Sequence, residues 1–262
     1  MQEHVLIVRE GKVGKIILNR PDKLNPLTLN VIKKIKIAVE ELDNDPNVRA
    51  LLITGNGKGF CVGADYKLLD DLSTMGAAEI KNALYKYFVN GVKALKLCSK
   101  PTIAAVRGPA IGAGCEIAVA CDFRIVSETA TFCEVWTKLG ATSPLGGLFL
   151  LPRLVGLSKA TEMFMTCEPV NGKEAERIGL ANKCVPDDKL NDEAMAFAKK
   201  LTKGAPLSLA AIKEGLRRGM ESTLYTEWEA NSLAQATLLS SEDFREAVAS
   251  RKESRKPDFK GK

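Results

Sequence analysis

Short strand patterns, glycine turns and helical runs alternate through the first 190 residues, and after Asp192 the strand patterns stop. Such alternation specifies a sheet with helices packed on it, and the switch to helix alone specifies a helical appendage. Val5–Val8 and Lys15–Leu18 read as two strands turned at Gly11 and Gly14, with Arg20-Pro21-Asp22 closing the hairpin. Asn25-Pro26 leads into a helix near Thr28–Leu42, where Val31, Ile32, Ile35, Val39 and Leu42 recur at helical spacing. Val48–Thr54 is a buried strand, stopped by the glycines at 55, 57, 59 and 63. A helix over Ala77–Leu95, a strand over Thr102–Val106, a helix from Gly112 to Cys121 and a strand over Phe123–Val126 follow. Asp192–Thr202, Leu207–Gly219, Tyr225–Leu239 and Glu242–Lys252 complete the pattern as helices. The expected organisation is an α/β body over residues 1–191 and an all-helical region over 192–262 that packs on its own body or on a neighbour.

A chain of 262 residues that is 45% hydrophobic buries a core without staples. No apolar stretch approaches the roughly 20 residues of a membrane span, and residues 1–20 lack a charged segment followed by an apolar block. Lysine plus arginine exceeds aspartate plus glutamate by 38 − 32 = 6, which favours anionic ligands but is too diffuse to argue for nucleic acid. The single histidine, His4, lies in the opening residues. A Ser-His-Asp or Cys-His machine on the body of the fold therefore has no base, and zinc lacks its usual ligands, so no metal is expected. The seven cysteines form no CxxC pair and sit mostly inside apolar runs, as buried thiols of a reducing, cytoplasmic compartment do.

Gly55-Asn56-Gly57-Lys58-Gly59 suggests a dinucleotide loop, but the third glycine of that fingerprint falls on Phe60 and no helix pattern opens after it. Lys58 is followed by Gly59 rather than Ser or Thr, so a phosphate-cradling P-loop fails as well. Gly59-Phe60-Cys61-Val62-Gly63-Ala64-Asp65 places small residues beside a strand end, where backbone N–H groups can approach a ligand closely. Ile111-Gly112-Ala113-Gly114-Cys115-Glu116 opens what reads as an amphipathic helix, whose N-terminus presents unpaired N–H donors. Glu116 follows Ala113 by three residues and shares its helical face. A carboxylate beside donors aimed at a developing anion suits enolate chemistry.

With these two motifs, the chain resembles the crotonase, or enoyl-CoA hydratase/isomerase, superfamily. Further matching stretches are Asn19 to Asn25, Lys100 to Val106, Gly112 to Asp122, Leu151 to Gly156, Ala175 to Asn182 and Arg255 to Lys260. The resemblance implies a spiral of ββα repeats, with a C-terminal helical region that makes homotrimers or homohexamers. It implies an acyl-CoA thioester substrate, with no cofactor beyond the coenzyme A that enters with it and no membrane partner. It implies an oxyanion hole formed by the amides of Ala64 and Ala113, with Ala113 standing where glycine is usual, and a catalytic carboxylate at Glu116. It places coenzyme A against Lys23, Leu24, Asp65, Phe259 and Lys260, the last two from a neighbouring subunit, and the acyl group against Tyr66, Gly112 and Trp136. Tyr66–Met75 and the helix around Trp228 are further candidates for the acyl pocket. Asp65 and Asp122 read as structural hydrogen-bonding residues.

The second carboxylate of the family's hydratases departs from the pattern. Its position falls on Trp136, inside Phe132-Cys133-Glu134-Val135-Trp136-Thr137-Lys138-Leu139-Gly140, and Pro144 replaces a loop glycine further on. Glu134, two residues earlier, is either a substitute acid/base or a solvated surface glutamate, and Trp136 is an apolar wall. Three readings follow: a hydratase or dehydratase of an atypical enoyl- or dienoyl-CoA; a crotonase-type isomerase, decarboxylase or hydrolase; and a CoA- or RNA-binding relative with little catalysis.

Overall fold

The computed structural model describes residues 3–262. Strands β1 (Val5–Glu10) and β2 (Val13–Leu18) form the expected hairpin, turned at Gly11 alone. Gly14 belongs to β2 opposite Arg9, and its missing side chain makes room for Leu42. Pro21–Lys23 is a single 3-10 turn, after which Leu24 and Asn25 both take left-handed backbone (φ 59°). The buried Asn25 side chain holds this turn, accepting from the Arg20 amide and donating to the carbonyls of Asn56 and Gly59.

Helix α1 (Leu29–Asn44) starts at a Thr28 cap and buries the five apolar residues its periodicity singles out. β3 (Ala50–Gly55) follows, then α2 (Tyr66–Ser73), α3 (Ala77–Ala83), a π-helical stretch over Leu84–Val89 and α4 (Asn90–Leu97). The expected helix over 77–95 is thus one helical run, widened in its middle. Beyond it lie β4 (Thr102–Val106), β5 (Pro109–Ile111), α5 (Ala113–Ala120), β6 (Phe123–Ser127) and β7 (Thr131–Cys133). A 3-10 turn over Trp136–Leu139 leads to α6 (Gly147–Val155), α7 (Leu157–Thr166), β8 (Val170–Asn171), α8 (Gly172–Arg177) and β9 (Lys183–Val185). The chain closes with α9 (Leu190–Leu201), α10 (Pro206–Gly219), α11 (Leu224–Leu239) and α12 (Glu242–Lys252).

The main sheet has the order β1-β2-β3-β4-β6-β9 and is parallel beyond the hairpin; β5-β7-β8 make a second, small sheet. Alternation along the central strands sends Leu51, Ile53, Ala104, Val106 and Val126 into the larger core under α1, α4 and α5. Leu52, Ile103, Ala105 and Ile125 point the other way, onto Leu190, Ala194 and Ala198 of α9. α9 therefore forms the second helical layer of the sheet, while α10–α12 stand apart from it. Lys213 of α10 ties that region to the body through an ion pair with Asp122 (2.7 Å) and a bond to the Lys100 carbonyl.

α5 differs from the amphipathic helix expected of it. All eight of its residues are buried, because it packs against α4, α6 and β5 within the larger core rather than lying on the surface. Its polar residue, Glu116, is thereby taken out of water.

Candidate active site

Two chain segments meet at the N-terminus of α5. The loop after β3 runs beside β5, with the Cys61 amide donating to the Pro109 carbonyl (3.0 Å) and the Ile111 amide donating to the Cys61 carbonyl (2.9 Å). Gly63 takes left-handed backbone (φ 84°) and presses on the Ile111 carbonyl, where any Cβ would collide, a short step from the Ala113 nitrogen. A side chain on Gly114 would strike the Cys61 carbonyl. The run of small residues is thus what allows the loop and helix to touch.

This contact sets the direction of the two candidate amides. Leu27 bridges the loop by donating to the Gly63 carbonyl (2.7 Å) and accepting from the Asp65 amide (2.9 Å), which leaves the Ala64 N–H on the opposite side. Ala113 is the first residue of α5, where no carbonyl of the preceding turn is available. Among the described residues neither amide finds an acceptor.

Glu116 lies one turn into α5 and is 1% exposed. Its Oε2 accepts from the amides of Leu145 (2.9 Å) and Gly147 (3.1 Å), at the start of α6. Among the described residues Oε1 lacks a partner, and so does the buried Oγ of Ser143 close by. Burial lifts the Glu116 carboxyl above its ordinary range; Ser143, the two amides and the Trp136 indole offset part of that rise.

Glu134 is no surface residue. It is completely buried, in the bend between β7 and the 3-10 turn, so the solvated reading is overturned. The Trp136 indole Nε1–H donates to its Oε2 (2.7 Å), and its Oε1 has no partner. Burial first, then the neighbouring charge of Glu116, push Glu134 up to about 8, against hydrogen bonds from Trp136 and Cys115. Trp136 is therefore more than an apolar wall, since its N–H holds a carboxyl. Its ring lies on Gly112, the residue before the Ala113 amide.

Leu24 flanks the same cleft, its carbonyl accepting from the Val62 amide (3.2 Å) and its side chain lying against Gly59, while Lys23 is near enough for its charge to act on Asp65. Asp65 caps α2 through the Lys67 amide and pairs with Arg20 at 2.8 Å. Burial works against its carboxylate, but Arg20 and the Lys67 amide outweigh burial and hold it below the usual range. Asp122 accepts from the backbone and hydroxyl of Thr102, a structural role like that of Asp65. Tyr66 opens α2 and is largely solvent-exposed, as is Trp228 on α11.

Phe259 and Lys260 are not brought to this cleft within one chain. The Phe259 carbonyl accepts from Arg49, and the Asp243 carboxylate holds the amides of Lys260 and Gly261. Arg49 precedes β3 and the Gly59–Ala64 loop follows it, so the strand's length, about 20 Å, separates the two ends. Sequence reasoning missed Ser143 and the Leu145 and Gly147 amides, which reach Glu116 from about 30 residues away. The signal for them was the Gly146-Gly147 pair, which opens a helix against the carboxylate.

All seven cysteines are free thiols, six of them buried. Among the described residues no cluster of His, Cys, Asp and Glu could hold a metal, and no helix is long and apolar enough to cross a membrane.

The enoyl-CoA hydratase/isomerase family model matches residues 9–262. The chain is 36% identical to the short-chain-enoyl-CoA hydratase of Clostridium acetobutylicum, over 97% of its length and 96% of that protein's. It is 37% identical to the crotonyl-CoA hydratase of Syntrophomonas wolfei, over 98% of each chain. The crystal structure of an enoyl-CoA hydratase from Bacillus anthracis superposes with a TM-score of 0.93 at 29% identity, over 99% of this chain and 100% of that one. The chain belongs to the enoyl-CoA hydratase/isomerase family and has the crotonase fold.

Proposed function

We propose that this protein is an enoyl-CoA hydratase that works with two carboxyls, Glu116 and Glu134, and acts on short-chain enoyl thioesters such as crotonyl-CoA. The observation that carries the reading is the pair itself: two buried glutamates, electrostatically coupled, each with one oxygen that lacks a partner among the described residues. Environments that hold two carboxyls at different protonation assign an acid and a base. Glu134, at about 8, keeps its proton at neutral pH, whereas Glu116 receives two backbone amides that favour its ionised form.

In this scheme the thioester carbonyl accepts from the Ala64 and Ala113 amides, each donor contributing about 2.7–4 kcal/mol to the barrier. Glu116 takes a proton from water, and the water oxygen bonds to the β-carbon. The double-bond electrons move through the α-carbon onto the thioester oxygen. The resulting enolate then takes the Glu134 proton at the α-carbon, and a proton passes from Glu116 to Glu134 before the next turnover. No cofactor is required, because coenzyme A arrives with the substrate. With Glu134 in this role, Trp136 no longer argues for an atypical substrate, and the names of the relatives favour a simple one.

Glu116→Gln tests the scheme: turnover of crotonyl-CoA falls at least about 100-fold, while affinity for the saturated thioester changes little. A variant that keeps more than about a tenth of wild-type turnover refutes it. Ile212, Leu216, Leu224, Trp228 and Leu233 expose apolar surface in the helical region, which supports self-association, and the family resemblance makes the assembly a homotrimer or homohexamer; the free thiols fit the cytoplasm. In that assembly Phe259 and Lys260 serve a neighbour's coenzyme A site. A monodisperse monomer by light scattering at micromolar concentration rules the assembly out.

A further inference from the structure

Four buried side-chain oxygens and nitrogens lack a partner among the described residues, and three belong to this site: Glu116 Oε1 and Ser143 Oγ beside Gly147, and Glu134 Oε1 on the carboxyl coupled to Glu116. Buried polar atoms are normally satisfied, so three orphans together mark a point where an outside polar molecule is expected to bind. The mechanism above uses two of them. Ser143 is the third, and no step of that mechanism yet needs it.

Ser143 Oγ and the Glu116 carboxyl carbon lie 2.8 and 3.0 Å from the point a Cβ on Gly147 would occupy. The hydroxyl and the carboxylate thus line the same small space, which exists because residue 147 has no side chain. Glu116 Oε2 is taken by two amides, so its free Oε1 is the oxygen on offer. A nucleophilic water needs its two hydrogens held, so that a lone pair faces the carbon it attacks. Glu116 Oε1 can hold one hydrogen. The serine oxygen, with two acceptor lone pairs, can hold the other.

We propose that Ser143 is a third catalytic group, whose hydroxyl oxygen accepts the second hydrogen of the attacking water while Glu116 removes the first. The inference rests on Glu116 being the base. During attack one O–H bond of water breaks toward Glu116, the oxygen bonds to the β-carbon, and the hydrogen held by Ser143 stays on oxygen as the hydroxyl of the product. Ser143 itself is neither protonated nor deprotonated.

Ser143→Ala removes the acceptor and is expected to leave the fold, since the hydroxyl lies beside Glu116 and ties no other element together. Hydration of crotonyl-CoA is expected to fall about tenfold in kcat, an orientation effect, with KM within about twofold. Ser143→Thr, which restores a hydroxyl, recovers at least half of the loss. Exchange of the α-hydrogens of butyryl-CoA with deuterated solvent needs no water attack, and it falls less than about threefold. Equal losses in hydration and exchange, or no loss in hydration, overturn the role of Ser143. An active Glu116→Gln instead overturns the base assignment on which it stands.

Discussion

Trp136 occupies the position expected of a carboxylate, and its contribution can be measured by removing one atom's worth of chemistry. Trp136→Phe keeps an aromatic ring, though a shorter one, at this position and deletes the indole N–H that donates to Glu134 at 2.7 Å. A hydrogen bond to a charged group contributes about 1.5–3 kcal/mol, and each pKa unit corresponds to about 1.4 kcal/mol. The N–H favours the ionised carboxylate, so its loss raises the Glu134 pKa by roughly one to two units. Wild-type Glu134 sits at about 8. As the acid of the mechanism, it supports hydration below that pH, and activity declines as pH rises through it. In Trp136→Phe this alkaline decline therefore moves upward, and the variant retains activity where the wild type has lost it. The assay is kcat/KM for crotonyl-CoA from pH 6 to about 10, with circular dichroism at each pH to verify folding. An alkaline limb that stays put, or moves down, in a folded variant refutes Glu134 as the acid.

Glu134 also leaves a signature in stability. Its folded pKa, about 8, lies above the ordinary glutamate value, so its contribution is full at low pH and is lost as pH rises through 8. Glu134→Gln escapes that loss: its melting temperature gains on wild type between pH 5 and 9, by at least about 3 °C, and parallel pH profiles refute the buried titration. Gly147→Ala puts a methyl within 3.0 Å of the Glu116 carboxyl and onto Ser143 Oγ. Turnover falls at least about tenfold while melting shifts by only a few degrees; a fully active variant means that the space is not the water site.

Elements whose information is contiguous are legible in the chain alone. The apolar spacing of α1, the small residues around Gly63 and Gly112, the place of Glu116 and the change to helix after Asp192 are each written within a dozen residues. Tertiary structure decided what surrounds them. α5 looks amphipathic until α4, α6 and β5 close on it and bury its polar face. Glu134, read alone, could face solvent, yet the bend into the 3-10 turn directs it inward onto the indole, beside Glu116. The Glu116 carboxylate is held only because the amides of Leu145 and Gly147 arrive from the start of α6. Helical spacing is a property of neighbouring residues, so a pattern reveals it. Burial, charge coupling and the pKa values that follow belong to whatever other segments pack nearby, and only the folded chain brings those together.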